Sequence, residues 1–239
     1  MHYFVGWDVG GWNCDKNPNS RDALAVLTVN DAGDLSVVGQ VARGNIRHDI
    51  NCLRDLASLI NTRCGTQIRP ADEIVLAIDT PLGLPAAIGE LLGGRFFNDD
   101  IPDDYSRNPY LYRQTEQWLF RRGFSPLSAI KDMIGSQATK GIHLLRKLQL
   151  HANQCGIWAN DNVTAIETYP TPCRESATLM KCFEALRVAV ATQDRIDAVV
   201  CALVAYLFVA DRNQLVAPVD DPPLSEGWIW IPADAIGND

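Results

Sequence analysis

The chain has 239 residues, 47% of them apolar and 21% charged, with a net charge of −8. That length supports one large core, and unexceptional glycine and proline content excludes disordered and fibrous classes. The negative charge argues against a protein that coats long duplex nucleic acid through phosphate contacts, and no apolar run reaches the roughly 18 residues of a membrane span.

Tyr3 to Asp8 is a short run of aromatic and β-favouring residues. It has no basic region before it and stops at an acid, so it reads as a strand and not as a signal peptide. Gly10 to Asp22 is a long connection rich in Gly and Asn, the kind that carries function. Ala23–Val29 and Leu35–Ala42 read as strands around the turn Asn30-Asp31-Ala32-Gly33-Asp34. From Asp49 the period changes, and Ile50, Leu53, Leu56, Ala57 and Ile60 predict a helix ending near Cys64-Gly65. Glu73 to Asp79 is a nearly continuous apolar run, as in strands covered on both faces, and Pro81 and Pro85 stop it.

Residues 86–160 read as a mainly helical insertion, with helices around 86–92, 112–122 and 136–151. Asn162 to Thr168 is a further strand, stopped by Pro170 and Pro172. Asp194 to Arg212 is helical and apolar on nearly every face, hence deeply buried. Gly227 to Pro232 is a short closing strand or an extended packing segment. The order predicts a single α/β domain over 1–239. Its mixed five-stranded sheet has three antiparallel strands followed by parallel ones, reached by right-handed crossovers, with helices on both faces. This is the skeleton of RNase H-like folds, and it also occurs in actin-like kinases. Seven Cys, with no C-x-x-C pair, argue against a disulfide framework and a zinc site and point to a reducing cytoplasm. Between Arg107 and Lys147 eight Lys and Arg face two acids, so a basic segment stands beside an acidic remainder.

The acids at the strand ends carry the chemistry. Asp8, Asp79 and Glu167 each close an apolar run, where a charge is costly unless water, a metal or a partner receives it. On parallel strands about 4.8 Å apart, Asp8 and Asp79 would reach one ion. The carboxyl ends of strands in open α/β sheets are also where ligands usually sit. Asp194 and Asp197 share a face of the last helix. Asp8, Asp79, Asp194 and Asp197 are the candidate metal ligands, for Mg²⁺ or Mn²⁺, and Asp8, Asp79, Glu167 and Asp197 the candidate catalytic set. Each acid also has a plainer reading, as a turn, helix-cap or ion-pair residue.

Five segments resemble the domain-of-unknown-function family 429, described as predicted RNase H-like nucleases. They are Gly6-Trp7-Asp8-Val9-Gly10-Gly11-Trp12, Ala77 to Pro85, Arg113-Gln114-Thr115-Glu116, Ile166 to Pro170, and Arg195 to Ala202. The resemblance implies an RNase H-like fold with Asp8, Asp79 and Asp197 as metal-binding acids and Glu167 near them. It is similar to the resolvase-type arrangement; the ribonuclease type adds a Glu on the first helix, where this chain offers Asp49 and Asp55. In the insertion, Arg113, Glu116 and Lys140 would meet substrate phosphate or form surface salt bridges. The implied activity is metal-dependent phosphodiester hydrolysis on nucleic acid, DNA or RNA undecided, with no membrane partner and no oligomeric state indicated.

Two other functions compete. A non-catalytic RNase H-like binding protein would keep the fold for recognition. An actin-like phosphotransferase is suggested by Asp8-Val9-Gly10-Gly11, similar to the first phosphate loop of sugar kinases, but it needs a duplicated domain and a second Gly-rich loop. No Gly-x-Ser-x-Gly is present to suggest a serine hydrolase.

Overall fold

The computed structural model of the chain describes residues 1–17, 19–46, 50–96 and 101–237. Among them it has nine strands and seven α-helices, in an α/β arrangement around one mixed sheet. The strands are β1 (His2–Asp8), β2 (Asp22–Val29), β3 (Leu35–Val37), β4 (Ala42–Gly44), β5 (Glu73–Asp79), β6 (His151–Gln154), β7 (Ile157–Ala159), β8 (Val163–Thr168) and β9 (Ile229–Trp230). The helices are α1 (Leu53–Cys64), α2 (Ala86–Leu92), α3 (Gln114–Phe120), α4 (Gly135–Lys147), α5 (Pro170–Cys173), α6 (Ala177–Ala185) and α7 (Gln193–Ala210). The sheet runs β3-β2-β1-β5-β8-β7-β6, with β4 also on β2 and β9 also on β8. Strand β1 is antiparallel to β2 and parallel to β5, and β5 is parallel to β8.

Alternation along the central strands divides the core into two layers. Phe4, Val75, Ala77 and Ile166 pack under α7, whereas Val5, Leu76, Ile78 and Ala165 pack under α1 and α4. Helix α7 lies directly on β1. A β-carbon added to Gly6 would come within 1.9 Å of the Ala198 carbonyl oxygen and 2.3 Å of the Ala202 nitrogen. Only a residue without a side chain permits that approach. Helix α7 is buried along most of its length, and no helix among the described residues is long and apolar enough to cross a membrane.

The structure departs from the sequence pattern in three places. The strand expected over Leu35–Ala42 is split into β3 and β4, both antiparallel to β2. The break falls at Gly39, whose φ of +71° turns the chain against the end of α1; there the Gln40 N–H donates to the Cys64 carbonyl at 2.7 Å. The insertion over 86–160 is not helical throughout: it ends in the hairpin β6–β7, which pairs antiparallel with β8 and extends the five expected strands. Its outer strand is largely exposed and polar, so it lacks the apolar alternation that marks a half-buried strand. Helices α5 and α6 follow β8 unannounced: Pro170, which ends a strand, also starts α5, and the Ser176 side chain caps α6 by accepting from the Leu179 N–H at 3.0 Å. The tail forms β9, beside β8.

The contact at Gly6 yields a stability prediction. Gly6→Ala forces α7 off β1 and should cost on the order of 3 kcal/mol in denaturant unfolding. Gly89→Ala, on α2 with nothing within 4 Å of the added carbon, should stay within about 1 kcal/mol of wild type, on the stabilising side. Equal effects of the two would contradict this account of the α7–β1 contact.

Candidate active site

Strands β1 and β5 are parallel and in register to their last residues, so Asp8 and Asp79 are direct cross-strand partners. Paired residues on neighbouring parallel strands project to the same face, here the face of Gly6 and α7. The two carboxyl groups border a cavity of about 300 Å³ at the carboxyl end of the sheet, with Thr80, Gln137, Glu167 and Tyr169 among its other walls. Neither acid accepts a hydrogen bond from, or forms an ion pair with, a described residue. Burial, then Asp79 and the more distant Asp197, Asp194 and Asp22, pushes Asp8 up to about 9. Burial, then Asp197 and Glu167, pushes Asp79 up to about 8 against the opposing pull of Arg174. The pair therefore holds protons at neutral pH unless a cation replaces them.

The other expected acids have cations of their own. Asp197, in the first turns of α7, forms an ion pair with Arg174 and accepts from the Gln193 amide at 3.0 Å. Asp194 accepts from Arg43 Nε of β4 at 2.6 Å and from the Arg21 N–H at 3.3 Å. Although burial opposes it, the Arg43 hydrogen bond holds Asp194 below the usual carboxylate range. Glu167 is in register with Ile78, not with Asp79. It therefore leaves the sheet on the opposite face, where Arg113 donates to both of its oxygens at 2.6 and 2.7 Å and the Leu82 N–H donates at 2.9 Å. Among the described residues no group of three His, Cys, Asp or Glu side chains is placed to hold a metal ion together. The expectation that Asp8, Asp79, Asp194 and Asp197 form one ligand set is thus replaced by a narrower one. Two adjacent carboxyls lack a partner, while Asp194, Asp197 and Glu167 are each neutralised by an arginine.

The basic residues expected to meet substrate also turn inward. Arg113 is 1% exposed and binds Glu116 and Glu167 at 2.8 and 2.6 Å, as well as the Glu226 carbonyl. Glu116 is equally buried and accepts from the Arg113 N–H at 2.8 Å. The three side chains fasten α3, β8 and the loop before β9 to one another. Lys140 is 3% exposed, with its ammonium 2.5 Å from Asp22 and within reach of the Gly10 carbonyl and Asn45. Neither cation is available to substrate phosphate, and neither forms a surface salt bridge. Asp55 lies on α1 and accepts from the Asn51 N–H at 2.8 Å, while Asp49 lies outside the described residues.

Asp22 and Arg174 were not visible as site residues in the sequence. Asp22 accepts from the Trp7 indole, the Gly10 N–H, the Ile46 N–H and Lys140. It thereby fixes the loop that leaves β1 immediately after Asp8. Its signal was present: an acid opening the apolar run of β2 is as costly as one closing a strand. Arg174 carries no such signal, because its partner is 23 positions away.

The raised carboxyls fix a pH dependence. The unfolded chain loses these protons near pH 4 and the folded chain only near 8 and 9, so the stability they confer is present at low pH and lost as pH rises through that window. Without divalent cations the melting temperature should fall between pH 5 and pH 9, and Asp79→Asn should flatten the fall. A melting temperature that climbs over this range would contradict the placement of the pair. A second expectation concerns the buried cluster: Arg113→Leu strands two glutamates without their guanidinium and should cost about 3–5 kcal/mol by chemical denaturation. Comparison of the chain with protein-family models, with curated proteins and with solved structures finds no match.

Proposed function

We propose that the chain is an RNase H-like, metal-dependent nuclease that hydrolyses a phosphodiester at the Asp8–Asp79 pair. The observation that carries this reading is the register of β1 and β5, which leaves two half-buried carboxyl groups side by side, without a partner among the described residues, bordering a cavity. The core of three antiparallel strands followed by parallel β5 and β8 agrees with the fold that the sequence resembles. Two carboxylates with several waters are a donor set that suits one Mg²⁺ or Mn²⁺, so the narrower site still fits such an ion. When bound, the ion would supply Lewis-acid polarisation of a phosphoryl oxygen and a lowered water pKa.

The protein's own groups do the rest. Asp8 and Asp79, once deprotonated, would hold such an ion. Asp22 and Lys140 keep the loop after Asp8 in place, and the Arg113–Glu167 pair braces the Thr80–Pro85 loop after Asp79 through the Leu82 N–H. Asp197 is a further carboxylate whose charge reaches both Asp8 and Asp79, and Arg174 offsets it. The Arg174–Asp197 pair also favours a second reading, a binding protein of the same fold in which that pair stays closed and no hydrolysis occurs.

Cleavage assays separate the two. With Mg²⁺ or Mn²⁺ the purified protein should cut DNA or RNA oligonucleotides, EDTA should stop it, and Asp79→Asn should lower the rate by at least about 100-fold while the fold, checked by circular dichroism, is kept. Metal-independent cleavage, or cleavage unaltered in Asp79→Asn, would overturn the nuclease reading; complete absence of cleavage with retained nucleic-acid binding would support the binding protein.

A further inference from the structure

The cavity beside Asp8 and Asp79 has an apolar wall of Pro126, Leu127, Ile134 and Ile229, with Tyr169 and several hydroxyl and amide side chains beside the acids. No Lys or Arg is among the described residues that line it. Leu127 is 53% exposed, so the apolar wall reaches solvent. Such a lining offers no cationic side chain to the backbone phosphates of a duplex, whose binding rests chiefly on Lys and Arg. It does suit the flat face of an unstacked base, which packs on aromatic and apolar side chains. The volume, about 300 Å³, lies at the small end of ligand pockets and accommodates one such group, not a stacked pair.

Two polar groups complete the cavity. Thr80 and Gln137 both line it, and neither Thr80 Oγ1 nor Gln137 Oε1 has a hydrogen-bond partner. Thr80 is 5% exposed, and its methyl is turned onto α4, where a β-carbon on Gly141 would approach it to 2.6 Å. Buried polar atoms without partners mark a place where another molecule's donors and acceptors belong. We infer that the cavity takes one unpaired nucleotide, its base against Leu127, Ile134 and Tyr169 and hydrogen-bonded by Gln137 and Thr80. The substrate class is then single-stranded nucleic acid or a strand end, and not an intact duplex. Placing the adjoining phosphate at Asp8 and Asp79 rests on the nuclease reading; the base site does not.

The test is binding of fluorescent five-nucleotide DNA and RNA strands, and of a blunt duplex of the same sequence, to Asp79→Asn protein with Mg²⁺ and to wild-type protein with Ca²⁺. Single strands should bind about tenfold or more tightly than the duplex. Leu127→Asp and Gln137→Leu should each weaken single-strand binding by about tenfold without changing the melting temperature, and Thr80→Val should act in the same direction. The DNA and RNA arms decide which sugar is preferred. Equal or tighter duplex binding, no binding of either form, or single-strand binding indifferent to both Leu127→Asp and Gln137→Leu would overturn the inference. Wild-type cleavage run beside it keeps the two ideas apart. Cleavage with duplex preference leaves the nuclease and removes the base site, whereas variant-sensitive strand binding without cleavage does the reverse.

Discussion

Helix α7 rests on β1 through the bare backbone of Gly6, and the rest of the site follows from that contact. Because α7 descends onto the middle of β1, the first turns of the helix reach the end of the strand, and Asp197 and Asp194 enter the electrostatic neighbourhood of Asp8. Because β1 and β5 are parallel and in register, Asp79 stands beside Asp8 on that same face. A side chain at position 6 would lift the helix, and a one-residue slip of β5 would send Asp79 to the other face. The fold brings acids together at a real cost, since neighbouring carboxylates taken from water raise each other's affinity for protons.

The way that cost is met differs from one acid to the next. Asp22 has Lys140, Asp194 has Arg43, Asp197 has Arg174, and Glu116 and Glu167 share Arg113. Buried pairs of this kind contribute little net stability compared with apolar residues of similar size. Their value here is positional: each joins elements far apart in sequence around the same end of the sheet. Lys140 ties α4 to the loop after β1, Arg113 ties α3 to β8, and Arg43 ties β4 to α7. Asp8 and Asp79 are left over. They are the two acids at this end of the sheet without a partner among the described residues.

Much of this was legible in the sequence where burial imposes a pattern. Strands β1, β5 and β8 are apolar runs with an acid at or next to their last residue, and α7 is apolar nearly all round, so their existence could be read directly, although Glu167 proved to be buried against Arg113. The parallel pairing of β1 with β5 then followed from the order of elements. Hairpin β6–β7 was not legible, because an outer strand with solvent on one side carries polar residues such as His151 and Gln154 and loses its alternation. The partners of the acids were not legible either. Arg113 lies 54 positions from Glu167, and Lys140 lies 118 from Asp22. Nothing local distinguishes a lysine that will be sealed inside from one on a solvated helical face. The basic segment from Arg107 to Lys147 therefore read as a solvated helical face or a surface for phosphate, although two of its cations are interior braces.

The central claim is that Asp8 and Asp79 together receive a divalent cation. Anomalous scattering from crystals grown with Mn²⁺ tests it most directly. The account predicts a single strong peak between the two carboxylates, within about 2–2.5 Å of an oxygen of each, with Asp194 still on Arg43. A peak elsewhere, or none at saturating Mn²⁺ at a pH above the raised range of the pair, would contradict it.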